Sequence, residues 1–133
     1  MPDETPLPPA SAMRDTLEAY VRRINHGDLA GLLELFEPKA IIEDPVGSTP
    51  KTGDAIRAWF TDTVSYGTRI MPVAPIRGSH ANAAALVFEV TFNPPGQATM
   101  LIRSLDVCTF SSRGRILTLK AYWGPEDMQT LRA

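Results

Sequence analysis

Two carboxylates in this chain sit where carboxylates are costly. The stretch Glu43-Asp44-Pro45-Val46-Gly47 ends a short apolar strand pattern on an acid, and Asp106 interrupts the apolar run from Met100 to Phe110. Counting by twos along that run puts Met100, Ile102, Ser104, Asp106, Cys108 and Phe110 on one face. Leu101, Arg103, Leu105, Val107 and Thr109 share the other, so Arg103 is poorly placed to pair with Asp106. An ionised carboxylate in an apolar interior must be paired, protonated or solvated by a functional cavity. Desolvation without a cation raises a carboxyl pKa, which predicts a neutral Asp106 that donates a hydrogen bond. Two such acids are the raw material of acid–base chemistry.

Each residue also has a plainer reading. An Asp before Pro at a strand end is a common turn-former, and Asp106 also fits a buried ion pair with a base from elsewhere in the chain. Tyr20, on a helical stripe, fits a core tyrosine whose hydroxyl is satisfied at the rim. His26 fits a helix C-terminus, His80 a turn, and Cys108 a small buried hydrophobe. No single side chain decides between these; the combination must.

The elements that have to position them follow from periodicity. From Ser11, read as an N-cap, Met13, Leu17, Tyr20, Val21 and Ile24 recur with helical spacing up to Asn25-His26-Gly27. Asp28 caps a short second helix carrying Leu29, Leu32, Leu33 and Phe36, which Pro38 stops. Residues 40–44 form a strand, residues 45–50 a loop, and Thr52 caps a third helix with Ala55, Ile56, Trp59, Phe60 and Val64. Strand patterns follow near 68–76, 84–92, 98–110 and 114–123, with turn signals between them. In the last, Leu117, Leu119, Ala121 and Trp123 share a face. Three helices followed by an antiparallel sheet is an α+β arrangement, with a cone-like space between the layers.

With 133 residues, 44% hydrophobic, 21% charged and a net charge of −2, the chain reads as one soluble globular domain. Residues 1–10, with four prolines, read as a flexible arm before a single domain over 11–133. There is no basic stripe for nucleic acid, no run apolar enough to span a membrane, and no signal peptide, which makes the cytoplasm the expected location. One cysteine makes no intrachain disulfide, and Cys/His spacing for a metal is absent.

Taken in order, Tyr20-Val21, Asn25-His26-Gly27-Asp28-Leu29, Ile42-Glu43-Asp44-Pro45-Val46-Gly47, Asp106 and Ala121-Tyr122-Trp123 resemble the bacterial steroid Δ5-isomerases, the ketosteroid isomerases. The likeness runs from about residue 13 to about 126. Gly-Asp-Leu and Glu-Asp-Pro occur across the wider NTF2-like, SnoaL-like superfamily; Tyr20, Asp44 and Asp106 together are more specific. The resemblance implies an NTF2-like cone, three helices on a curved, mostly antiparallel sheet around an apolar pocket. It implies conversion of 3-oxo-5-ene steroids to conjugated 3-oxo-4-ene steroids through a dienolate. Asp44 matches the general base, and Tyr20 with protonated Asp106 matches the two oxyanion donors. Ketosteroid isomerase is itself the type case of a carboxylic acid held neutral in an apolar site, so the expectation for Asp106 coincides with known chemistry.

No cofactor and no metal are implied, and a homodimer is. The expected apolar lining is Phe60, Phe88, Val90, Met100, Leu119 and Trp123. Some isomerases surround the donor tyrosine with further tyrosines, where this chain has Phe36 and Phe60. That departure bears on turnover rate more than on reaction type. The rival readings are a steroid- or lipid-binding module without catalysis, and another SnoaL-like hydratase or cyclase.

Overall fold

The computed structural model describes residues 6–131. Half of the expected N-terminal arm lies outside the described residues; within it, Pro8 is buried and helix α1 already begins at Ala10. Helix α1 (Ala10–Asn25) buries Met13, Leu17, Tyr20 and Ile24 as one stripe. Its N-cap is Pro9, without a side-chain bond, so Ser11 lies inside the helix and does not cap it. The C-terminal end turns at Gly27, whose φ of +65° suits glycine. Asn25 fixes this end to the sheet: its Nδ2 donates to the Ile70 carbonyl at 3.0 Å and its Oδ1 accepts from the Ile70 amide at 2.7 Å.

Asp28 caps α2 (Leu29–Glu34), accepting a hydrogen bond from the Gly31 amide at 2.9 Å. The helix is shorter than its apolar pattern suggests. Phe36 belongs not to α2 but to strand β1 (Phe36–Glu43), and Pro38 lies within that strand. The strand accommodates proline because β1 is a sheet edge whose pairing shifts register between Phe36 and Ile41. Helix α3 (Asp54–Ser65) starts from Gly53 at φ +52° rather than from Thr52, and buries Ile56 and Phe60.

Strands β2 (Arg69–Pro72), β3 (Ala83–Phe92), β4 (Met100–Phe110) and β5 (Ile116–Tyr122) join β1 in the order β1-β5-β4-β3-β2. Among the described strands only β1 and β5 run parallel. β2 is shorter than the pattern over 68–76. A register shift between Thr109 and Phe110 turns Ile116 inward and leaves Leu117 half-exposed, correcting the shared face expected for Leu117 and Leu119. A short 3₁₀ turn (Pro125–Asp127) and a sixth strand, β6 (Met128–Thr130) paired to β4, were not foreseen. The result is an α+β cone: three helices against an open, curved, mostly antiparallel sheet of six strands. No helix among the described residues is long and apolar enough to cross a membrane.

Candidate active site

A cavity of about 340 Å³ opens between the helices and the inner face of the sheet. Three elements deliver the expected chemistry to it: Tyr20 from the buried stripe of α1, Asp44 from the end of β1, and Asp106 from the middle of β4. The cavity size falls within the range of small-molecule sites.

Asp44 is held by the turn that follows it, which begins with a cis Asp44–Pro45 bond. The Val46 amide donates to the Ala121 carbonyl at 2.8 Å, and Gly47 donates to Glu43 Oε2 at 2.8 Å. Ile42 and Lys51 exchange both backbone hydrogen bonds across the loop. The indole Nε1 of Trp123 then donates to Asp44 Oδ1 at 2.9 Å. Burial raises the Asp44 pKa, while the Trp123 hydrogen bond and the charge of Lys51 oppose that rise by favouring the carboxylate. The Lys51 ammonium sits 4.3 Å from the centroid of the Trp59 ring, a side chain that itself lines the cavity.

Asp106 has the opposite surroundings. It is 2% exposed, its β-neighbours are Leu86 and Ala121, and its Oδ1 has no hydrogen-bond partner among the described residues. Arg103 points to the outer face and pairs with Glu89 at 3.5 Å, as strand phase requires. Burial, and then the negative charge of Asp44, hold the Asp106 carboxyl well above its ordinary pKa. Tyr20 is raised well above 10.0 by burial, then by Asp106 and Asp44, so it remains a phenol. Phe36 and Phe60 flank it edge-on, with ring centroids 6.4 and 6.1 Å away. Neither ring offers a hydrogen-bonding oxygen to its hydroxyl, as the Phe36 and Phe60 departures imply. The cavity therefore presents one half-buried acid whose charged form Trp123 and Lys51 favour against the effect of burial, and, deeper inside, two acidic groups whose pKa values burial raises further.

Of the expected apolar lining, Phe88, Val90 and Trp123 line the cavity, whereas Phe60, Met100 and Leu119 do not. Phe60 is 1% exposed and packs behind Tyr20; Leu119 is buried between Cys108 and Ile42. Met100 is the first residue of β4, hydrogen-bonded through its sulfur to Thr130. Strand parity gives the face a side chain occupies but not how far along the cone it stands. Trp59, expected on the apolar stripe of the third helix, lines the cavity, as do Asp62, Tyr66 and Met128, for which the sequence offers no signal. Ser104 was also passed over, although the phase that selects Asp106 selects it too.

The chain is 29% identical over 95% of its length to the epoxide hydrolase LasB of Streptomyces lasalocidi, and spans about half (52%) of that relative. It is 28% identical to a steroid Δ-isomerase of Nocardioides simplex, covering 90% of this chain and 95% of the relative. The solved structure of SalBIII, described as an epoxide hydrolase/cyclase-like enzyme in pyran ring formation, superposes with a TM-score of 0.85 at 26% identity. That likeness covers 92% of this chain and 98% of SalBIII. Residues 17–118 match the model of the SnoaL-like domain, and with the fold and cavity described above this places the chain in the SnoaL-like domain family.

Proposed function

We propose that the cavity isomerises a 3-oxo-5-ene steroid to its conjugated 3-oxo-4-ene form. The observation that supports this reading is the difference between the two carboxyls: burial raises both, but Trp123 and Lys51 counter the rise at Asp44, while Asp106 has only apolar β-neighbours beside a buried phenol. Asp44 takes the proton from the carbon between ketone and alkene, leaving a dienolate whose oxygen accepts hydrogen bonds from Tyr20 and Asp106. The same carboxyl returns the proton to the far carbon of the dienolate, so no proton is gained or lost overall. A positioned base contributes roughly 10²–10⁴-fold, and each preorganised donor about 3–4 kcal/mol, so these residues supply a large acceleration. Sheet packing as a homodimer belongs to the same proposal; Val73, Leu105 and Tyr122 line a shallow hollow on the outer face.

The similarity to LasB and SalBIII favours a second reading on the same residues. A neutral Asp106 can protonate an epoxide oxygen as its C–O bond breaks, while Asp44 takes the proton of the attacking hydroxyl or water.

The test mixes purified protein with 5-androstene-3,17-dione and follows the ultraviolet absorbance of the conjugated enone. The expected result is a rapid rise that Asp44→Asn lowers by at least roughly 10²-fold, the low end of what a positioned base contributes. Equal rates for Asp44→Asn and the parent would refute the assignment of the base. Absence of any rise would refute the isomerase and leave the epoxide reading.

A further inference from the structure

Along β4 the cavity lining runs Asp106, Ser104, Ile102. Ser104 is 7% exposed, and its Oγ has no hydrogen-bond partner among the described residues. The local topology explains why the protein itself does not satisfy it. On one side its strand partner is Phe88, whose side chain has no oxygen or nitrogen to bond it. On the other side β5 ends at Tyr122, opposite Leu105, and β6 begins only at Met128, opposite Ile102, so no strand residue pairs with Ser104 there. Along its own face the neighbouring inward side chains are Ile102 and Asp106, each about 7 Å away by strand geometry. That spacing is too long for a direct bond to the carboxyl but suited to a ligand that touches both groups.

A cavity built only for a hydrocarbon skeleton would be better served by Val or Ala here, because a buried hydroxyl without a partner is costly. A hydroxyl both donates and accepts, so it recognises an alcohol, an ether or a carbonyl oxygen. We infer that Ser104 is a specificity-determining residue: the substrate carries a second oxygen, about 7 Å along the cavity from the reacting carbonyl oxygen, which hydrogen-bonds Ser104 Oγ. For a steroid seated with its ketone at Tyr20 and Asp106, that position falls on the B or C ring. The natural substrate is then a mid-skeleton oxygenated steroid, an inference that rests on the isomerase reading above.

The test is calorimetric binding of 4-androstene-3,17-dione and of congeners hydroxylated on the B or C ring, to the parent protein, Ser104→Ala and Ser104→Thr. A thermal melt of each variant checks that it folds. The parent should bind one congener roughly 5–10-fold tighter than the unsubstituted diketone, the worth of one net hydrogen bond. Ser104→Ala should bring that ratio to about one, and Ser104→Thr, which keeps the hydroxyl, should preserve the preference. A parent that prefers the unsubstituted diketone over every congener overturns the inference, as does a preference that survives in Ser104→Ala. Failure of the inference alone is recognised because the unsubstituted 5-ene diketone is still isomerised. Failure to isomerise or bind any of these steroids removes the proposed function, and the inference falls with it.

Discussion

Replacing Asp106 separates a catalytic donor from a merely buried acid. In the parent the carboxyl is 2% exposed and held neutral by burial and by the charge of Asp44. On the proposed mechanism Asp106→Ala removes one of two oxyanion donors, a loss expected to cost about 2.7–4 kcal/mol, or 10²–10³ in turnover. Asp106→Asn keeps an N–H donor of similar shape, and the expected loss is nearer tenfold, about 1.4 kcal/mol. The pH profile gives the sharper distinction. Parent activity should fall as pH rises through the elevated Asp106 pKa, because the ionised acid can no longer donate and repels the oxyanion. Asn does not ionise, so in Asp106→Asn the alkaline limb should move up to the phenol of Tyr20, itself raised by burial.

Stability carries the same signature. The folded parent retains a proton that the unfolded chain releases above the ordinary Asp value, so its stability declines as pH rises between that value and the folded pKa. The slope is at most about 1.4 kcal/mol per pH unit. The melting temperature of Asp106→Asn should therefore gain on that of the parent from pH 4 to pH 8. The enone absorbance assay and paired melts measure both effects. An Asp106→Ala enzyme within about twofold of the parent, where loss of a preorganised donor should cost far more, would refute the donor role. So would an unchanged alkaline limb in Asp106→Asn, while a constant melting difference would refute the burial argument.

Trp123→Phe removes the hydrogen bond to Asp44 Oδ1, and Lys51→Gln removes the nearby cation; both oppose the burial-driven rise of the Asp44 pKa. Asp44 must be ionised to act, so each substitution should move the acid limb of the rate profile to higher pH. The larger shift should come from Trp123→Phe, and a downward shift in either would contradict the geometry. Phe60→Ala deletes a 1% exposed ring packed on Tyr20 and Phe36, and should cost about 3–5 kcal/mol by chemical denaturation. A cost below about 1 kcal/mol would mean that the cavity collapses freely around the lost ring.

Much of the site was legible in the sequence because strands and helices have fixed periods. Counting by twos was enough to turn Asp106 inward and Arg103 outward, and counting by helical turns put Tyr20 on the buried stripe. Periodicity is local, so it carries no information on what faces a residue from another element. That is why Phe36 was read into a helix: its apolar phase fits one, and only pairing with β5 makes Phe36–Glu43 a strand able to hold Pro38 at an edge. It is also why Phe60, Met100 and Leu119 were expected in the lining when the tertiary fold places them behind the wall or beyond it.

The fold class and the side chains able to carry acid–base chemistry can be read from residue types, because burial cost and hydrogen-bonding capacity belong to them. That Trp123 bonds Asp44, while Asp106 Oδ1 and Ser104 Oγ find no partner among the described residues, follows from how the elements pack. A carboxyl's proton affinity depends on groups remote in the chain, here brought around one cavity from α1, β1, β4 and the segment after β5. Ser104 likewise lacks a strand partner on one side because β5 stops before β6 begins, a matter of register between strands that no single segment encodes.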